Sequence, residues 1–294
     1  MRSTFTNRYI IIGIILVILG ICVVVFTRLY SSTPPVTQTE PIQLEPQHVV
    51  IGKSIEGRAI DAYTYGTGAT HLLFVGGIHG GYEWNSVLLA YTFMDYLEAN
   101  PEIIPENITV TIIPASNPDG VYAVTGKEGR FAISDVSTSS TILAGGRFNA
   151  HKVDLNRNFD CKWQPQSTWQ TKMVSAGTAA FSEPEALALK TFATSVHQDA
   201  VIFWHSQSNA IYASQCLHGI LPTTLDIMNA YSKASAYSAN TSFDAYATTG
   251  AADDWLASIN IPAITVELQT HSSIEWDRNL SGIKALFDYF GQKK

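Results

Sequence analysis

Two imidazoles and a carboxylate suffice to hold a catalytic zinc that keeps one position open for water, and a further carboxylate can then serve as base. The chain carries such a set at the ends of apolar runs. His79 directly follows THLLFVGGI, Glu83 lies four residues on, His205 closes AVIFW, and Glu267 stands near the end of AITVEL. Open α/β sheets place their ligand sites at the carboxyl ends of parallel strands, so position, more than residue type, marks these four. His48, His71, His151, His197, His218 and His271 have no comparable setting and read as ordinary hydrogen-bonding residues. Rival hydrolase signatures are absent: no His precedes a Glu as in H-E-x-x-H, no Ser sits in G-x-S-x-G, and no phosphate-cradling P-loop occurs.

For these residues to meet, the runs that carry them must be neighbouring strands. Apolar runs alternate with amphipathic stretches, the pattern of an α/β protein. Strands are expected over 70–78, 108–115, 200–204 and 263–268. A helix is expected over 84–100, with Val87, Leu88, Tyr91, Met94 and Leu97 at helical spacing. Further helices fit 224–239 and 274–290. Ser182-Glu-Pro-Glu185 has the form of a capping box ahead of a helix over 186–196. The stretch 116–181, rich in Gly, Ser, Thr and Asn, is far longer than an ordinary connection and reads as functional.

The whole chain has 294 residues, 46% hydrophobic and 15% charged, with a net charge of −7. That balance offers no grip on phosphate backbones and excludes a nucleic-acid binder. Three cysteines without a C-x-x-C pair exclude a stapled mini-domain and a structural zinc knot. Tyr9 to Phe26 is free of charge and reaches about 27 Å as a helix. Arg2 and Arg8 precede it, and after Arg28 the next basic residue is Lys53. The positive-inside rule then predicts a cytoplasmic tail over 1–8, a transmembrane signal anchor over 9–29 and an extracytoplasmic remainder, a single-pass cell-membrane protein. A cleaved signal peptide fits less well, because the run is long and no small-x-small site closes it. Cys22 is disfavoured as a lipidation site, since Ile21 stands where a small residue belongs. Residues 30–47, with four prolines and nothing basic in SSTPPVTQTEPIQLEPQ, predict an extended stalk. Residues 48–294 then form one catalytic domain.

The segments GKSIEGR (52–58), GGIHGGYEWN, NPDG (117–120), VDLNRNF (153–159), FSEPE (181–185), WHSQS (204–208), YATTGAADDW (246–255) and ITVEL (264–268) follow one another in order. In them the chain resembles the zinc carboxypeptidase A-like metallopeptidases from about residue 52 to Glu267. The resemblance implies a mixed, mostly parallel central sheet flanked by helices and one zinc ion held by His79, Glu83 and His205. Glu267 would act as general base on water and then protonate the leaving amine. Asp154 would accept a hydrogen bond from His79 and fix its tautomer. Asn156 and Arg157 would clamp the carboxylate at the substrate's C-terminal end, and Tyr246 would be the mobile tyrosine that contacts substrate. Asp253, just before Asp254-Trp255, would line the pocket for the terminal side chain. A carboxylate there favours Lys, Arg or diaminopimelate, and so peptides of the cell wall; outside that pocket it would face solvent or cap a helix.

Two departures from the family pattern stand out. The first metal motif is His79-Gly-Gly-Tyr-Glu83, one residue longer than His-x-x-Glu, and the freedom of Gly80 and Gly81 is expected to absorb the extra residue in a bulge. The arginine that stabilises the oxyanion is either Arg147 or Arg130, with Arg147 preferred for its place in GGRFNAHKVDLNRNF. Cys161 and Cys216 flank the site, and an oxidising exterior would bridge them. Two other functions fit the same residues. One is an amino-acid deacylase of this fold, opposed by the complete Asn156, Arg157 and Tyr246 set. The other is a catalytically dead peptide-binding module, opposed by the intact His79, Glu83, His205 and Glu267.

Overall fold

The structure, a computed structural model, describes residues 4–30 and 45–292, with side chains over 10–26 in the first stretch. The chain divides into two compact units, residues 1–42 and 43–294. The first contains helix α1 (Thr4–Tyr30), whose described side chains are all exposed. Among the described residues no helix is long and apolar enough to cross a membrane. The expected signal anchor, the membrane contact and the single-pass placement are therefore corrected. Most of the expected stalk lies outside the described residues.

The second unit begins with β1 (Gln47–Lys53), β2 (Ala59–Tyr65) and β3 (Thr70–Val75), followed by α2 (Trp84–Ala99) and β4 (Ile108–Ile113). The long middle stretch holds α3 (Pro118–Thr125), α4 (Ser140–Gly145) and a hairpin of β5 (Gln166–Trp169) and β6 (Lys172–Ser175). It continues through α5 (Pro184–Ser195), β7 (Ala200–Ser206), β8 (Ala210–Ala213), α6 (Pro222–Ser235) and β9 (Ser238–Asn240) to α7 (Ala252–Ser258), β10 (Ala263–Leu268) and α8 (Trp276–Gly291). Eight strands make one sheet in the order β1-β2-β4-β3-β7-β10-β8-β9. The centre, β4-β3-β7-β10, is parallel. Antiparallel pairings flank it at β1-β2-β4 and β10-β8, while the outermost β8-β9 pair is parallel.

β4 and β7 are covered on both faces and buried throughout, so apolar side chains dominate them, with Thr109, Thr111, His205 and Ser206 the polar exceptions. Their period-two alternation divides the core. Leu72, Phe74, Ile202, Trp204, Ile264 and Val266 pack on one face with α2, α6 and α8. Leu73, Val75, Val201, Phe203 and Ala263 pack on the other with α5 and α7. By the same alternation His205, Thr265 and Glu267 fall on the α7 face. On the opposite face α8 presents Ile283, Leu286, Phe287 and Phe290 at helical spacing. There Gly282 allows the Tyr231 ring an approach that would leave 2.2 Å to a Cβ.

Three local expectations are revised. No capping box precedes α5: Glu183 holds the cap position without a side-chain cap, and the Ser182 hydroxyl donates to the Glu183 carboxylate instead. The helix expected over 224–239 ends at Ser235, because Ala236 turns left-handed at φ 59° before β9. The residues 116–181 are not one loop but short helices and a hairpin. A disulfide joins Cys161 to Cys216, with Cα atoms 6.1 Å apart.

Candidate active site

Parallel register makes the first contact. His205 and Glu267 are direct partners at the carboxyl ends of β7 and β10, on one face of the sheet. The neighbouring strand β3 leads through a turn to His79 and into a 3-10 turn, Gly80–Glu83, that runs straight into α2. That turn, rather than a bulge, accommodates the extra residue. Gly80 takes φ +48°, and a Cβ on Gly81 would lie 2.4 Å from Val124 Cβ. The Ser86 hydroxyl donates to the Glu83 carbonyl at 2.7 Å and closes the turn. The result places donor atoms of His79, Glu83 and His205, all buried, within 4.8 Å of one another.

These donors fit a zinc ion. His79 Nδ1 and His205 Nε2 are buried without a hydrogen-bond partner among the described residues, an expensive state unless something else occupies the nitrogens. Burial, aided by the Arg147 charge, lowers His79 to about 4 and so keeps it neutral, as a ligand must be. Burial would raise Glu83, but the two imidazoles and Arg147 outweigh it and bring the carboxyl down to about 2. His205 Nδ1 lies 3.0 Å from Glu83 Oε2. Burial would lower this imidazole, yet the carboxylate raises it. Glu267 is pushed up to about 7, chiefly by burial and then by the Glu83 charge.

Around this centre a cavity of about 570 Å³ is lined by Arg147, Asn156, Arg157, Tyr246, Asp253 and Glu267 among others. Arg147 is buried against Asp154 Oδ2, with Nε and Nη2 both at 2.9 Å, and its guanidinium lies 4.7 Å from the Trp169 ring. Arg130 is half exposed, pairs with Asp95 at 2.8 Å and does not line the cavity. The structure therefore brings Arg147, and not Arg130, to the site. Asp154 meets His79 less closely than expected: Nδ1 to Oδ1 is 3.4 Å, and no hydrogen bond forms. Burial would raise the Asp154 carboxyl, but Arg147 and His79 hold it well below the carboxylate range.

Arg157 gives one N–H from each of its three nitrogens to main-chain oxygens, those of Thr168 and Asn156. The guanidinium also meets the Tyr246 hydroxyl, and it lines the cavity where an anion could reach it. Asn156 Oδ1 accepts the Ala252 N–H at 2.9 Å, which ties this segment to the start of α7. Tyr246 is half-buried against the Phe243 ring at 4.8 Å. Burial raises its hydroxyl, opposed by Arg147 and Arg157. Asp253 faces the cavity and accepts the Thr265 hydroxyl at 3.0 Å; the cap of α7 is Ala251.

Several residues of the cavity escaped the sequence reading. His271, read as ordinary, lines it against the Tyr82 ring and lies 2.6 Å from Ser206 Oγ. Trp169, Lys162 and Asp254 line it too. Tyr82 was open to notice through its position beside Glu83. Trp169 and Lys162 lie in a stretch without periodicity and gave no signal.

The fold and this buried two-imidazole, one-carboxylate centre define a metal-dependent hydrolase of the α/β class. The chain belongs to the zinc carboxypeptidase family, whose profile matches residues 39–280. It is similar to gamma-D-glutamyl-L-diamino acid endopeptidase 1 of Lysinibacillus sphaericus, at 26% identity over 243 residues, 76% of this chain and 60% of that protein. The chain thus spans about 60% of that relative's length. Its fold resembles murein-tripeptide amidase from Escherichia coli O157, with TM-score 0.61, 20% identity and coverage of 85% of this chain and 94% of that one. It also resembles carboxypeptidase A from Helicoverpa armigera, with TM-score 0.62, 19% identity and coverage of 85% and 68%.

Proposed function

We propose that this zinc metallopeptidase cleaves the bond before a C-terminal residue whose side chain bears an amine, in peptides of the cell-wall type. The observation that carries the reading is Asp253 at the cavity. One carboxylate oxygen accepts the Thr265 hydroxyl, and among the described residues the other accepts no hydrogen bond and can meet a cation. A carboxylate so placed is costly without a positive partner and rejects apolar or acidic side chains. The similar proteins of Lysinibacillus and Escherichia, a diamino-acid endopeptidase and a murein-tripeptide amidase, support the same direction.

Zinc held by His79, Glu83 and His205 would polarise the scissile carbonyl and lower the pKa of water beside it. Glu267, across from His205, would take the proton of that water and pass it to the leaving amine. Arg147 would face the oxyanion. Its attachment to Asp154 fixes the guanidinium before substrate arrives, so no reorganisation is required during reaction. Arg157 and Asn156 would receive the terminal carboxylate. The cleavage of peptides ending in Lys, Phe and Glu tests the reading. We expect Lys to be preferred and Asp253→Ala to abolish that preference. A preference for Phe that survives Asp253→Ala would overturn it.

A further inference from the structure

The cavity wall that carries Asp253 is not uniformly acidic. Asp253 and Asp254 come from the first turn of α7, and Lys162 lines the same cavity. Among the described residues Lys162 forms no ion pair within 4.0 Å, yet its charge is felt at Asp254. A cation and two carboxylates therefore line one cavity, with no ion pair within 4.0 Å between them among the described residues. Such a wall offers partners to a ligand that brings both signs of charge.

The chain enforces this placement. Lys162 adopts φ +54°, a left-handed conformation that is unfavourable for a residue with a Cβ and persists only when its surroundings impose it. Its neighbour Cys161 is bonded to Cys216, and it also accepts the Gly250 N–H at 2.8 Å. Next to Cys216, the Gln215 N–H is donated to Asp254 Oδ1 at 2.8 Å. The disulfide thus joins the segment bearing the cation to the segment holding the anion. Asp254, raised to about 7 by burial and by Asp253, is only partly ionised at neutral pH, so Asp253 and Lys162 set the two signs of charge on this wall.

We propose that Lys162 is a specificity-determining residue that reads a carboxylate on the terminal side chain, so that the site takes a side chain ending in both an ammonium and a carboxylate. Diaminopimelate has that chemistry; lysine has only the ammonium. The proposal rests on the reading of this cavity as the pocket for the terminal residue. Lys162 is exposed, so its effect is modest, about five- to tenfold in discrimination.

The test uses the full chain loaded with zinc and two tripeptides, L-Ala-γ-D-Glu ending in meso-diaminopimelate or in L-Lys. The wild type should prefer the diaminopimelate peptide in kcat/KM by at least about fivefold. Lys162→Gln should erase that ratio, and Lys162→Arg should keep it. A structural role would lower both peptides together and leave the ratio intact, and this outcome overturns the proposal. So does a wild type that treats the two alike. If neither peptide is cut, the functional reading fails, and calorimetry of free diaminopimelate and free lysine with the Glu267→Gln variant still decides about Lys162. Tighter binding of diaminopimelate that disappears in a Lys162→Gln, Glu267→Gln double variant supports it; equal binding overturns it.

Discussion

Glu267 and Asp254 are both raised to about 7, for different purposes. Glu267 lies in register with His205, beside the proposed metal position, where a neutral amide cannot accept a proton. Glu267→Gln should therefore keep one zinc per chain while turnover falls by ~10²–10⁴. Zinc analysis and initial rates check this, and near-normal turnover would remove Glu267 from the role of base. Among the described residues the hydrogen-bond partner of Asp254 is the Gln215 N–H, away from the proposed base, and its protonation acts on stability. A carboxyl raised in the fold holds its proton more tightly folded than unfolded. Its contribution is present below the unfolded value of about 4 and lost as pH rises through about 7. Asp254→Asn mimics the protonated form and should melt higher than wild type at pH 8, by about 1–3 kcal/mol in stability, with the gap closing toward pH 4. Melting curves that run parallel over that range would exclude this account.

Among the elements, the 3-10 turn Gly80–Glu83 decides whether the lengthened metal motif works. Gly81 is enclosed by Val124 and by the Gly120 carbonyl, 2.6 Å from where a Cβ would stand. Gly81→Ala forces the turn outward, costs about 1–3 kcal/mol and moves Glu83 away from the two imidazoles. We expect zinc affinity to fall at least about tenfold, since three donors must converge on one ion. Competition with a chromogenic chelator measures it, and unchanged affinity would show that the turn has slack. Other elements need less from any one residue. The helix α8 is held by a whole apolar stripe, as sequence periodicity indicated, and the loss of one methylene there would be felt only locally.

At the scale of the molecule, the metal and the fold of the second unit stabilise one another, because its three donors come from segments as distant as His79 and His205. At a zinc concentration of 100 times Kd the linkage is about 2.7 kcal/mol. Removal of zinc by a chelator should then lower Tm by roughly 5–10 °C in a domain of this size, with recovery on adding zinc. Calorimetric scans before and after dialysis read this directly, and an unchanged Tm would mean that the site binds no structural share of the ion. The same scale corrected one expectation outright. A count of uncharged residues predicted a membrane span, while the described residues of α1 hold no helix long and apolar enough for one.

Sequence alone determined the α/β class and the central strands, and it marked His79, Glu83, His205 and Glu267 as the candidates that the structure then gathers in one place. Each of these lies at or near the end of a run whose hydrophobicity is dictated by burial on both sheet faces, a signal that linear order preserves. Asn156, Arg157, Tyr246 and Asp253 had no such signal; a surface turn or a core aromatic explained them equally well, and only the motif order singled them out. Tertiary structure decided between Arg147 and Arg130, because one is buried on Asp154 and the other lies at the surface on Asp95. It also brought Lys162, Trp169 and His271 to the cavity. Their places depend on a disulfide, a hairpin and a loop, whose courses follow from contacts between residues far apart in the chain, and no periodicity records such contacts.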